Sequence, residues 1–202
     1  MRPVFLALAL AATTAAATLP VSAATAPEPA PAVTRAGGPM VPLGLGSEYA
    51  IVDEGSQAPD FAFESEDGWR RLHDLRAAGH VLLVFAPDEA HLAALERERE
   101  SLRALGVLPV AVLDRKANAC HRIAARLRLG YPVLADPRGV IGAQFNALDP
   151  DSHALAGAWF VLARDGRVCA LAHESWPDRP WSEVASAALG RSASRSASFP
   201  GN

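Results

Sequence analysis

Cysteine is nearly absent from these 202 residues. There are two, Cys120 and Cys169, and the segment DEAHLAALE that follows the apolar run Val81 to Pro87 contains neither. A thiolate is the nucleophile of thiol redox chemistry, so that chemistry runs through these two positions or not at all. Lysine is scarcer still. Lys116 is alone against arginine in every other basic position, a composition bias rather than a patch with a purpose. The net charge is -3, which excludes the basic footprint of a nucleic-acid binder. None of the six histidines has another four residues away, so the helical spacing of a metal-binding pair is missing. Beyond the first two dozen residues no apolar run approaches the roughly 20 residues that a membrane span requires. No internal repeat is visible.

What is present is half hydrophobic and one fifth charged, enough for one ordinary domain with a proper core and extensions. Residues 1–23 are a different material. Arg2 gives a positive start, Val4 to Leu19 is apolar or small, and Val21-Ser22-Ala23 offers the small residues a signal peptidase needs. The expectation is a cleaved secretory leader, a mature start at Ala24, and an exported protein, periplasmic or secreted, with no stable membrane span after cleavage. Residues 24–45 are rich in Ala and Pro and are expected to form a disordered linker. Residues 191–202 form a Ser/Arg/Ala stretch lacking hydrophobic periodicity, also expected to be disordered. The folded domain is placed at 46–190.

Within it, SEYAIV offers a short extra strand, and FAFESEDG followed by WRRL predicts a strand, a turn at Asp67-Gly68 and a second strand or helical turn. Val81 to Phe85 is a continuous β-branched apolar run of the kind buried on both faces of a parallel sheet. Leu92, Leu95, Leu102 and Leu105 then mark one face of a helix that Gly106 stops. Val107 to Leu113 predicts a second buried strand, and CHRIAARLRL a second helix ended by Gly130. PVLAD predicts a short strand, DPRG a turn and VIGAQF a short helix. WFVLA and RVCALA form a hairpin around Arg164-Asp165-Gly166, and WSEVASAAL is the last helix. This order defines an α/β sandwich with a mixed central sheet flanked by helices.

Five pieces of this order carry a family resemblance: GSQAPDF (Gly55 to Phe61), the apolar strand ending in Phe85-Ala86-Pro87, the strand end Leu113-Asp114, Leu134 to Gly139, and Phe160 to Gly166. In order and spacing they resemble the peroxiredoxin group (alkyl hydroperoxide reductase and thiol-specific antioxidant) of the thioredoxin superfamily. The resemblance implies a thioredoxin-like fold and thiol redox chemistry. It also implies a threonine and then the reactive cysteine after the strand-ending proline Pro87, with an arginine before the Phe160 strand. In this chain those positions are His91, Ala94 and Ala156. The neighbouring thiol-disulfide oxidoreductases imply a Cys-x-x-Cys at Ala90 and Ala93 and a cis-proline at Gly157. The former active-site positions are thus Pro87, Ala90, His91, Ala93 and Ala94, and none is a thiol.

The remaining candidates are weighed on chemistry. Cys120 shares a helical stripe with Ile123, Ala124 and Leu127, where a thiol acts as a small hydrophobe with a high pKa. Cys169 lies in a hairpin strand. In an exported protein two cysteines invite a disulfide, and whether these two approach closely enough is open. Asp88-Glu89-Ala90-His91 spells the DEAH box of helicases, but no glycine loop precedes Lys116, so the match is accidental. Asp88 and Glu89 suit a helix start, with His91 facing solvent, and no metal and no cofactor are expected. Trp176 and Trp181 either form a sticky patch or pin the last helix, and Trp159 belongs to the core.

Two readings of function remain. One is a redox-inactive pseudoenzyme, a binding or scaffold module for an unknown protein partner or small ligand. The other is an antioxidant oxidoreductase acting through Cys120, with or without Cys169.

Overall fold

The computed structural model describes residues 52–65 and 68–197. The leader, the linker, nearly all of SEYAIV, Asp67 and residues 198–202 lie outside them. Thirteen elements follow in chain order: β1 (Ala62–Ser65), β2 (Gly68–Arg71), α1 (Leu72–Ala78), β3 (His80–Phe85), α2 (Glu89–Arg97), α3 (Arg99–Ala104), β4 (Val107–Leu113), α4 (Ala117–Leu127), β5 (Val133–Ala135), α5 (Val140–Gln144), β6 (Ala158–Leu162), β7 (Val168–His173) and α6 (Trp181–Ala197). β1 and β2 form their own antiparallel hairpin. The other five strands make one mixed sheet in the order β5-β4-β3-β6-β7.

β3 is the centre, parallel to β4 and antiparallel to β6, with Leu83 paired to Val110 on one side and Phe160 on the other. Alternate residues of a strand point to opposite faces. Val81, Leu83 and Phe85 therefore join Phe61, Phe63, Leu72, Leu75 and Phe145 in one core, while Leu82 and Val84 join Leu92, Leu95, Leu102, Tyr131 and Trp181 in the other. Because both faces are covered, Val81 to Phe85 of β3 is apolar without interruption. The thioredoxin-like α/β sandwich with a mixed sheet is thus the observed architecture.

The sequence motifs fasten this frame. Gly55 N–H donates to the Val168 carbonyl at 2.8 Å and Ala58 N–H to the Gly166 carbonyl at 2.8 Å, which pins GSQAPDF to the β6–β7 hairpin. Asp60 accepts from His73 N–H at 2.9 Å and pairs with Arg71 at 2.9 Å, holding the start of α1. Asp136, buried, accepts from Val140 and Gly142 N–H groups at 2.7 and 2.9 Å and so caps α5. A Cβ at Gly142 would stand 2.2 Å from the end of the Leu155 side chain, which would have to shift to admit it.

Three boundaries depart from the sequence reading. The helix expected to run unbroken from Leu92 to Leu105 is two, α2 and α3, broken at Glu98 (φ -96°, ψ 0°), and Leu105 is 39% exposed rather than on the buried face. The break leaves Glu98 accepting from both the N–H and the hydroxyl of Ser182 at 2.9 Å, tying it to the start of α6. The stop of α4 is Arg128, in the left-handed region (φ 53°, ψ 43°), not Gly130. Gly130 serves close approach instead, with its N–H on Glu96 at 2.7 Å and no room for a Cβ against the Arg99 guanidinium. Finally, α6 continues to Ala197, past the Gly190 end where a structureless tail was placed. Once a helix is nucleated, Ala, Arg and Ser propagate it at small cost, and one Gly costs only about 1 kcal/mol.

Candidate functional site

At the carboxyl end of β3 the chain turns sharply. Ala86 takes φ 46°, a conformation a non-glycine residue rarely holds, and its N–H donates to the Val112 carbonyl at 2.9 Å. Pro87 is buried, and Asp88 begins α2. The Asp88 carboxylate accepts from the His91 N–H at 2.8 Å, the N-cap the sequence suggests. That backbone donor, with the imidazole adding to it, holds the Asp88 carboxyl below the usual carboxylate range. Glu89 accepts two hydrogen bonds from Arg126 of α4, at 2.5 and 2.8 Å, and is held low in pKa by that guanidinium.

His91 is not the solvent-facing residue expected. Its Nδ1 lies 2.6 Å from the same Asp88 oxygen, and its ring stacks on Trp176 with centroids 4.1 Å apart and planes 26° from parallel. The side chain is 28% exposed. Trp176 continues into an edge-to-face chain with Trp181 and then Trp159, whose indole N–H donates to the Ser175 carbonyl at 2.9 Å. Trp181 is buried and pins α6 as expected, while Trp159 is only half-buried and Trp176 does something else. Its indole lies over Gly157, where a Cβ would stand 3.1 Å from the ring. A side chain at 157 and this ring compete for the same space.

The five positions that the resemblance marks, Pro87, Ala90, His91, Ala93 and Ala94, lie together at the start of α2. Ala90 is exposed, and Ala93 and Ala94 are half-buried, Ala94 against the α2 core. A cleft of about 390 Å³ opens beside them, lined by Pro87, Asp88 and Glu89 on one side and Asp114, Arg115 and Ile123 on the other. Its walls hold carboxylates and one guanidinium but no thiol.

The two cysteines are elsewhere, both free, and each 1% exposed. The Cys120 Sγ sits 3.8 Å from the carbonyls of Arg115 and Leu134, and burial pushes its pKa up against a weaker pull from Arg115. Cys169 is in β7. Cys120 packs on β5, so four strand spacings separate the two, about 19 Å at about 4.8 Å each. A disulfide requires Cα atoms within about 7 Å, which rules out both a bridge and a resolving role for Cys169 in the folded chain. Among the described residues no group of three or more His, Cys, Asp or Glu could hold a metal, and no helix is long and apolar enough to cross a membrane. The His91–Trp176 stack was not foreseen. The signal available was a tryptophan a few residues beyond a strand that ends on the same side as the start of α2.

Fold and site together define a thioredoxin-like α/β domain whose helix after β3 begins without a thiol. The model of the AhpC/TSA family matches residues 55–170, more than half of the chain, and the chain belongs to that family. Among solved structures it is similar to peroxidoxin BcpB of Mycobacterium tuberculosis, with 21% identity over 69% of this chain and 97% of that one and a TM-score of 0.62. AhpC of Enterococcus faecalis is 17% identical over 75% and 98%, with a TM-score of 0.60. A protein described as a thiol:disulfide interchange protein DsbE, from Chlorobium tepidum, is 21% identical over 69% and 97%, with a TM-score of 0.56. At these identities the likeness carries the fold. A comparison with curated proteins gives no match.

Proposed function

We propose that this AhpC/TSA domain is redox-silent and acts as an exported binding module, using the end of the sheet where its relatives' frame would hold a thiol. The observation that carries the reading is the replacement at that end: alanine at 90, 93 and 94, with His91 stacked on Trp176 over Gly157. An alanine has no lone pair to attack a peroxide or a disulfide. The only remaining thiols are buried, and desolvation of Cys120 disfavours the thiolate that reaction requires. What the end offers instead is a half-exposed aromatic stack beside carboxylates, a surface for contact rather than for electron transfer. Export rests on the leader 1–23.

The test is hydrogen peroxide consumption with a thiol reductant, comparing the wild type with Cys120→Ser and Cys169→Ser. The expected rate is no higher than that of an ordinary free cysteine, and unchanged in both variants. A rate well above it that disappears in Cys120→Ser would restore the oxidoreductase reading. Mass spectrometry of the native protein is expected to find a start near Ala24, and an intact Met1 would overturn export.

A further inference from the structure

A second cleft, sharing no residue with the His91–Trp176 stack, lies beyond the carboxyl end of β5. It encloses about 510 Å³ between the β1–β2 hairpin, the start of α4 and the β5–α5 turn. That volume is in the range that holds a small molecule, about 300–1,000 Å³, and the carboxyl edge of parallel strands is where open α/β sheets place their ligands. Its walls have two chemistries. Phe63, Val140 and Trp69 belong to its apolar lining, and Val140 at 58% and Trp69 at 77% are the two most exposed large hydrophobic side chains among the described residues. Lys116, His121 and Arg138 form the other side.

Some cations of the folded surface are matched, as Arg71 is by Asp60, Arg99 by Glu96 and Arg126 by Glu89. The side chains of Lys116, His121 and Arg138 have no hydrogen-bond or ion-pair partner among the described residues, and all three line this one cleft. Asp136 lines the cleft, but its two oxygens are taken by the Val140 and Gly142 N–H groups, which leaves Glu64 as the one uncommitted carboxylate on the wall. The lining carries three basic side chains against two carboxylates, in a chain that is acidic overall.

We propose that this cleft binds a small planar apolar carboxylate, the ring lying against Trp69, Phe63 and Val140 and the anion meeting Arg138 and Lys116. A guanidinium fork matches a carboxylate in two hydrogen bonds, and an indole face suits a flat ring. The site goes beyond the binding-module reading and uses none of its residues, so either fails without the other.

The probe is 2-naphthoate, titrated calorimetrically into the full-length protein, with neutral 2-naphthalenemethanol as its comparison. One saturable site per chain is expected for the anion, with at least about tenfold weaker binding of the neutral analogue. Lys116→Glu with Arg138→Glu is expected to weaken 2-naphthoate by at least about tenfold, and Trp69→Ala likewise. All three side chains are exposed, so these variants fold. Arg97→Glu, the same change of sign at a distant exposed site, is expected to leave binding unchanged. Absence of saturation below about 10 mM, equal affinity for both probes, or an equal loss with Arg97→Glu would overturn the proposal.

Discussion

Asp88 shows how much of this end rests on a single side chain. One carboxylate oxygen takes both the His91 N–H at 2.8 Å and the His91 ring at 2.6 Å, so the start of α2 and the orientation of the imidazole on Trp176 are fixed together. Asp88→Ala is expected to cost about 1 kcal/mol of stability, the usual loss of an N-cap. Asp88→Asn keeps a capping oxygen and separates the cap from the charge. The folded carboxyl is more acidic than the unfolded one, whose value is near 3.9. The charged form therefore contributes its stabilisation fully above about pH 4 and loses it as the pH falls through the lower folded value. Urea midpoints should fall less steeply in this acid range for Asp88→Asn than for the wild type. Parallel curves would show that the charge at 88 contributes nothing. Asp88 was legible in the sequence because capping is local chemistry. The stack was not, because it joins residues 85 positions apart and leaves no mark in either segment.

Among the elements, the motifs that reveal the family turn out to be fasteners. Asp60 starts α1, Asp136 caps α5, and Gly55 and Gly166 let the N-terminal segment lie along the β6–β7 hairpin. These interactions specify how elements join, which is why the element order and the mixed sheet were legible in the sequence while the order of the strands and the surroundings of α2 were not. Helix ends were read less well. Gly106, at φ 68°, follows the end of α3 as expected, but the helix is also broken at Glu98, which binds Ser182, and Gly130 lies beside Arg99 rather than ending α4. The Glu98–Ser182 contact joins elements 84 positions apart, and removing it is expected to loosen α6. Glu98→Ala should cost about 1–2 kcal/mol, since it deletes two hydrogen bonds to a carboxylate. A double-mutant cycle with Ser182→Ala checks this by chemical denaturation. Additivity within about 0.3 kcal/mol would mean that the hydroxyl and the carboxylate do not couple.

Over the whole molecule, the sheet separates what the sequence left unseparated. Two cysteines in a chain expected to be exported suggest a bridge, and only strand order shows that Cys120 and Cys169 stand at opposite edges, about 19 Å apart. Each is covered by a different part of the fold, Cys120 between α4 and β5 and Cys169 among the apolar residues under α6. Neither coverage opens without exposing core: Cys169 shares its cluster with Leu82, Val84 and Trp181, which belong to two other elements, β3 and α6. Thiol labelling therefore becomes a gauge of cooperative opening. With Ellman's reagent and no denaturant, both thiols should react far more slowly than free cysteine. In low urea the two single-cysteine variants, Cys120→Ser and Cys169→Ser, should accelerate with the same dependence on urea, because protected groups of one cooperative unit open with its global free energy. Labelling of either thiol at the free-cysteine rate under native conditions would show that its edge of the sheet opens alone, and would return that thiol to the list of candidate nucleophiles.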